Sequence, residues 1–453
     1  MKSFVQCVFL IIVVVNSIGC KAQKSIVSNS QSINQPANEI TNIANETIFT
    51  DSNFTSAHVG ISIYNPDTKE YLYNYQGDRY FVPASNMKLF TCYAAMKNLG
   101  DSLVGLRYTN NNGNYTVQAT GDPTFLHADF KNHPVFNFLK SKPTATFLTN
   151  NWDEKALGSG WAWNDYDAYY MAERSPFPIY GNIVTFSLNK KTKSLDIFPK
   201  AFDSLILNKE LVVANDSFSI KRNYADNRFE VEEATSKFRV TEIPFATKKY
   251  DVGILLLNDT LQPRFKIGKQ ENGQFKATTS IIHSQPTDSL LKPMMHRSDN
   301  FFAEQTLLMV SNEKLGIMSD AKIIDTLLKT DFAGLPQKPK WVDGSGLSRY
   351  NLITPQDFVW VLSKMKSDFS WQRITNIMAT GNEGTLNNYY KNLSGKIFAK
   401  TGTLSGQVAL SGYLITKQNT TLVFSVLVNN HQASATAIRR SVEQFLTKVY
   451  DQY

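Results

Sequence analysis

The chain has 453 residues, of which 42% are hydrophobic and 19% charged, with a net charge of +8. That length predicts two or three domains rather than one, and the apolar fraction excludes a disordered chain. The basic excess is thin: no Lys/Arg block is dense enough for a nucleic-acid surface, so it suits solubility or a place near anionic membranes and acidic wall polymers.

Met1 and Lys2 precede VFLIIVVV, residues 8–15, an apolar run too short to span a bilayer but suited to a signal-peptide core. SIGC follows at 17–20; Gly19 before Cys20 resembles a bacterial lipobox, with Ser17 where leucine is usual. Either Cys20 is lipidated and tethers the chain to a membrane, or the leader is cleaved near Gly19 or Ala22 and the protein is secreted. Residues 1–20 therefore read as a signal peptide, and the protein as exported to a periplasm or cell envelope. Residues 21–48, rich in Ser, Asn, Gln and Ile without a period, read as a flexible linker. Cys92 is the one cysteine beyond Cys20, so no internal disulfide framework forms, and it reads as a small buried hydrophobe.

HVGISIYNPDTKEYLYNYQ, residues 58–76, alternates on both sides of a turn and predicts a β-hairpin. It leads into VPASNMKLFTCYAAMKNLG, residues 82–100, an apolar helix that Gly100 ends. Between 101 and 280 the pieces YTVQAT, NIVTFSL, LDIFP, ELVVA, FRVTEI and VGILLLN read as short strands of one or two mostly β domains. Helical patterns return after Pro286 in NFFAEQTLLMV, TPQDFVWVLSKM and ATAIRRSVEQFLTKVY, and QVALSGYLIT and TTLVFSVLVNN read as paired core strands. The simplest architecture is a split α/β catalytic domain, residues 49–100 and 281–453, interrupted by a β-rich insertion at 101–280.

Ser85 and Lys88 stand three apart at the head of the apolar helix, so hydroxyl and amine share one face. A serine needs a base to become a nucleophile, and a buried lysine can be that base. The pattern alone is weak, since Ser187/Lys190, Ser311/Lys314 and Ser363/Lys366 repeat it. Two further motifs decide. Ser298-Asp299-Asn300 precedes a helix, and Lys400-Thr401-Gly402-Thr403 precedes a core strand. Ser-x-x-Lys, then Ser-x-Asn, then Lys-Thr-Gly, in that order, is the signature of penicillin-interacting serine enzymes.

With GDPTF (121–125), WAWNDYDAYY (161–170), SDNFFAEQ (298–305), DGSGLSRYNLITP (343–355), EGTL (383–386) and AKTGTLSGQVALSGY (399–413), the chain resembles the D-alanyl-D-alanine carboxypeptidase/endopeptidase family, the class C low-molecular-mass penicillin-binding proteins. The resemblance covers nearly all the mature chain. The 210 residues from Lys88 to Ser298 (298 − 88) fit a family that carries extra domains there. It implies an α+β fold, an antiparallel sheet flanked by helices, shared with β-lactamases. It also implies hydrolysis of peptidoglycan stem peptides, with β-lactams as covalent inhibitors and no cofactor.

The resemblance further implies roles. Ser85 forms the acyl-enzyme, Lys88 is the favoured base with Lys400 lowering its pKa, Ser298 relays a proton to the leaving amine, and Asn300 holds the substrate amide. Lys400, Thr401 and Thr403, with Gly402 between them, receive the terminal carboxylate, and the N–H groups of Ser85 and Thr403 make the oxyanion hole. Asp165 resembles the family's inserted-domain acid that faces a substrate amine; a turn aspartate is the other reading. Gly344, Ser345 and Gly346 shape a loop. Carboxypeptidase and endopeptidase action both remain open.

Three rival readings fit the sequence less well. A β-lactamase is nearest, and Glu383 to Asn387 even fits E-x-x-L-N, but late in the chain for that loop. A histidine-based or zinc hydrolase fits poorly: the six histidines are scattered, with no G-x-S-x-G context and no H-E-x-x-H; His296 reads as a structural or rim residue. A non-catalytic wall-binding scaffold would not need Ser85, Lys88 and Lys400 together.

Overall fold

The computed structural model describes residues 39–214, 216–262, 264–268 and 279–453. The signal peptide, the Cys20 tether and residues 21–38 of the linker lie outside the described residues.

One sheet organises the two ends of the chain. Its six strands run antiparallel in the order Ala379–Thr380, Ile397–Leu404, Gln407–Ile415, Thr421–Asn429, His58–Asn65, Glu70–Tyr75. The expected hairpin forms, with an irregularity between Ile63 and Tyr64, and its first strand zips onto Thr421–Asn429 in register Ile61↔Val426. The central strands Gln407–Ile415 and Thr421–Asn429 are buried along nearly their whole length, because both faces of the sheet are covered.

On one face lies the C-terminal helix Ala435–Gln452, which inserts Ile438, Val442, Phe445, Leu446 and Val449 against Val408, Leu410, Phe424 and Val426. The helix Glu39–Ala44 and the turns to Phe49 join this core. This corrects the linker reading for 39–48. Ile40, Ile43, Ala44 and Ile48 recur at helical spacing and are buried against the C-terminal helix, and Lys448 Nζ pairs with Glu46 at 2.6 Å.

The other face carries the helices Lys88–Asn98, Asn300–Leu315 and Pro355–Asp368. The first two are buried on every side: Lys88 to Met96 and Phe301 to Asn312 are all buried. A helix enclosed in this way is a core element rather than an amphipathic surface one.

Residues between Ser102 and Pro286 build three more sheets around a second apolar cluster that includes Phe147, Phe177, Phe186 and Phe229. The five-stranded sheet has the order Phe265–Gly268, Ala145–Leu148, Asn114–Ala119, Ser102–Asn111, Ser280–Pro286. Its last strand pairs with Ser102–Asn111, so this sheet holds the chain to Pro286 rather than releasing it at 280. Two expected strands are helices. ELVVA is Glu210–Ala214, and VGILLLN lies in Asp251–Leu261, where Val252, Leu256, Leu257 and Leu261 are buried and Leu255 is 58% exposed. A short unbroken apolar run has no period to tell helix from strand. Of FRVTEI only Thr241–Pro244 is extended in a sheet. No described helix is long and apolar enough to cross a membrane.

Candidate active site

Ser85 and Lys88 reach the sheet through a tight entry. A 3-10 turn, Ala84–Met87, feeds the helix Lys88–Asn98, and Ala84 takes the left-handed φ of +46°. An alanine held there stores strain of order 1 kcal/mol or more, a feature that clusters at functional sites. Two glycines admit the turn. A Cβ at Gly346, itself at φ +82°, would sit 1.8 Å from the Ala84 carbonyl oxygen, and one at Gly402 would sit 2.7 Å from the Pro83 carbonyl oxygen and 3.1 Å from the Ser85 nitrogen. Asn86 ties the turn to the sheet: with its amide nitrogen toward the strand it donates to the Lys400 carbonyl (2.6 Å) and accepts from the Ser411 hydroxyl (2.7 Å).

Lys88 is fully buried. Its Nζ lies 3.0 Å from Ser85 Oγ, 2.6 Å from Asn300 Oδ1 and 2.8 Å from the Ser345 carbonyl oxygen. Burial holds the amine down at about 8, while the charges of Asp343, Glu304 and Asp299 push it up. So the main cause is burial, one of the two causes expected from the sequence. A neutral amine has two N–H donors and one lone pair. Asn300 Oδ1 and the Ser345 carbonyl can only accept, so they take the two protons, and the lone pair is left facing the Ser85 hydroxyl.

Ser298, at φ +62°, turns the chain into the helix that begins at Asn300, capped by Asp299, whose Oδ1 accepts from the Phe302 N–H. Ser298 Oγ accepts from Lys400 Nζ at 2.8 Å, and the same amine donates to the Thr401 carbonyl at 2.7 Å. Lys400 is also fully buried; burial first, then Lys88 and Arg439, hold it well below the ordinary lysine range. Repulsion between two amines disfavours a state with both protonated.

Beyond Lys400, the strand edge carries hydroxyls. Thr401 Oγ1 donates to Thr385 Oγ1 at 2.7 Å, and Thr403 Oγ1 accepts from the Arg439 guanidinium. Thr403 lies toward solvent at the mouth, whereas Thr401 is buried. A cavity of about 320 Å³ opens beside Asn300, walled by Tyr169, Tyr170, Arg297 and Phe301.

The structure thus brings two hydrogen-bonded sets side by side, Lys88 with Ser85 and Asn300 and Lys400 with Ser298, the two amines close enough to repel, with Thr401, Gly402 and Thr403 along the edge. Asp165 stands apart on the turn Trp163–Asp165 and touches the cluster indirectly: its carboxylate lies near the Tyr170 hydroxyl, and the Tyr170 carbonyl accepts from Asn300 Nδ2 at 3.0 Å. Ser345 is buried, and its hydroxyl accepts from the Leu347 N–H at 3.2 Å, as a loop-shaping residue should. His296 is partly buried at the end of Thr287–His296, its pKa lowered by burial. Among the described residues no group of three or more His, Cys, Asp or Glu side chains could hold a metal.

Sequence reasoning assigned no part to several residues that the cluster needs. Asp343, fully buried, accepts from the Gly346 and Ser348 N–H groups, Asn351 Nδ2 and Trp161 Nε1. Glu304 accepts from the Ser345 N–H, and Thr385 and Tyr170 meet Thr401 and Asn300. Each lies inside a segment already quoted for the family resemblance, so the signal was present without a role attached.

A helix-fronted antiparallel sheet with a serine and two buried amines at its edge defines a class, the penicillin-interacting serine hydrolases. More narrowly, the chain belongs to the D-Ala-D-Ala carboxypeptidase 3 (S13) family, whose model matches residues 41–449. It is similar to the D-alanyl-D-alanine carboxypeptidase DacB of Haemophilus influenzae, 23% identical over 87% of this chain and 91% of that one. It is also similar to the D-alanyl-D-alanine carboxypeptidase of Actinomadura sp. strain R39, 25% identical over 86% of this chain and 81% of that one. Among solved structures, penicillin binding protein 4 from Haemophilus influenzae superposes with a TM-score of 0.69 at 19% identity, covering 91% of this chain and 99% of that chain. The resemblance read from the motifs and the expected α+β fold are both borne out.

Proposed function

We propose that Ser85 is the nucleophile of a serine DD-peptidase that cleaves the bond after a D-alanine in peptidoglycan stem peptides. The observation that carries this reading is the set of three oxygens around Lys88 Nζ, two of which can only accept. Ser85 Oγ gives its proton to the Lys88 lone pair and bonds to the carbonyl carbon between two D-alanines. The oxyanion forms against the N–H groups of Ser85 and Thr403, a type of contact worth roughly a hundredfold or more in rate. The departing amine takes its proton along Ser298. Water then hydrolyses the ester on Ser85 and restores the hydroxyl.

Lys400, Thr401 and Thr403 receive the terminal carboxylate. An arriving carboxylate favours protonated Lys400, and the charge gained there favours a neutral Lys88. Where the leaving amine belongs to a second stem peptide, the same steps open a cross-link, and the cavity beside Asn300 offers room for it. Penicillins acylate the same serine. The leader and SIGC support export, with Cys20 as the membrane tether.

Labelling with a fluorescent penicillin tests the assignment: the wild type takes one label and Ser85→Ala takes none at an unchanged melting temperature. A folded wild type that stays unlabelled overturns it. Rapid turnover of the lactam, instead of a persistent ester, would make the protein a β-lactamase.

A further inference from the structure

Both acceptors that fix Lys88 are themselves held by one inserted segment, Tyr170–Arg174. At one end, the Tyr170 carbonyl takes a hydrogen bond from Asn300 Nδ2, which aims Asn300 Oδ1 at Lys88. At the other, Arg174 is 1% exposed and lies 3.4 Å from Glu304, 2.6 Å from Asp320 and 3.1 Å from Glu154. Glu304 Oε1 accepts from the Ser345 N–H at 2.7 Å, and the Ser345 carbonyl accepts from Lys88 Nζ at 2.8 Å. The Trp161 ring lies under the guanidinium with its centroid 5.5 Å away, and its Nε1 donates to Asp343, which shapes the same loop.

We propose that Glu304 is a positioning residue for the Lys88 base, clamped by Arg174 so that the inserted segment, and not the catalytic core alone, aims the lysine lone pair at Ser85. This rests on the reading of Ser85 and Lys88 given above. The alternative, that the cluster is only mechanical cement, does not explain why its carboxylate ends on the N–H of the one residue whose carbonyl holds the amine. A buried carboxylate cluster around one guanidinium is also a costly way to stabilise a fold, since apolar residues of similar volume often do as well or better. The charges that act on Glu304 are Arg174, Asp343 and Asp320. Burial pushes its carboxyl up to about 8, the range in which Lys88 also titrates, so the charge that raises Lys88 is present only toward the upper end of that range.

Geometry and charge separate in two variants. Glu304→Gln keeps an oxygen for the Ser345 N–H but loses the charge; Glu304→Ala loses both. Acylation by fluorescent penicillin, followed against pH in the full chain, reads them. Only the alanine variant loses plateau rate, by about a hundredfold, the scale of an ångström-sized misplacement, and glutamine restores it to within roughly threefold of wild type. Affinity for the unreacted lactam stays unchanged in both.

A folded Glu304→Ala with the wild-type plateau overturns the proposal. Should that variant fail to fold, Arg174→Met with Glu304→Gln removes the pair together; its plateau falls about tenfold because the glutamine is no longer clamped, and a wild-type plateau there overturns the proposal equally. A wild type that takes no label instead defeats the underlying assignment of Ser85, so the two failures are distinct.

Discussion

The two sides of the cleft solve opposite problems. On the Lys88 side the amine, Glu304 and Asp343 are enclosed and, with the half-buried Asn300, form a network with fixed donors and acceptors. On the Lys400 side the strand edge runs from a buried amine through Thr401 to Thr403, which meets the Arg439 guanidinium at the mouth. Both amines are buried and both are held below the ordinary lysine range, so the difference lies in what leads away from them: fixed acceptors around Lys88, and beyond Lys400 hydroxyls and a guanidinium that run out to solvent, where an anionic ligand must enter. In the proposed mechanism the first side makes the base and the second binds.

The largest break in that comparison is Lys88→Met. It removes the proposed base while filling the space, so acylation by penicillin should fall by about a thousandfold, within the range of general-base effects. Stopped-flow labelling measures it, and a loss under tenfold would move the base elsewhere.

The pH dependence comes next. Lys88 is held at about 8 in the fold and lies at 10.5 when unperturbed. Its neutral form grows as pH rises, so the acylation rate should climb about tenfold per unit below that midpoint and level off above it. The stability sign follows from the same depression. Between the folded and the unfolded value only the unfolded chain still binds this proton, so the Lys88 contribution favours folding more as pH rises through that window. Acylation and urea titrations at several pH values give both curves.

Thr401→Val should do less. It removes the hydroxyl that meets Thr385 on the binding side, at about 1 kcal/mol or roughly fivefold in kcat/KM for a carboxylate-bearing peptide, without moving the pH midpoint. A moved midpoint would mean that the two sides are not separable. Smallest for the rate is Ile48→Ala, beneath the far face of the sheet. It should cost about 2–4 kcal/mol of stability and leave acylation unchanged, as denaturant melts and labelling on one preparation would show.

The order of the three motifs, the N-terminal hairpin and the paired strands Gln407–Ile415 and Thr421–Asn429 were legible because they rest on spacing and alternation, which are local. Enclosed elements were harder. Asp251–Leu261 looked like a strand because its apolar run is unbroken, and residues 39–48 looked like a tether because four apolar residues carry little signal until the C-terminal helix covers them.

For the site itself, the residue types and their order along the chain were enough to name Ser85, Lys88, Ser298, Asn300 and Lys400. The sequence could not say which of the many carboxylates would be enclosed with them. Glu304 and Asp343 matter only because helix, loop and inserted segment fold over them and exclude water. A pKa, and the direction of a lone pair, depend on what surrounds a group from every side, and that is decided only when distant segments pack.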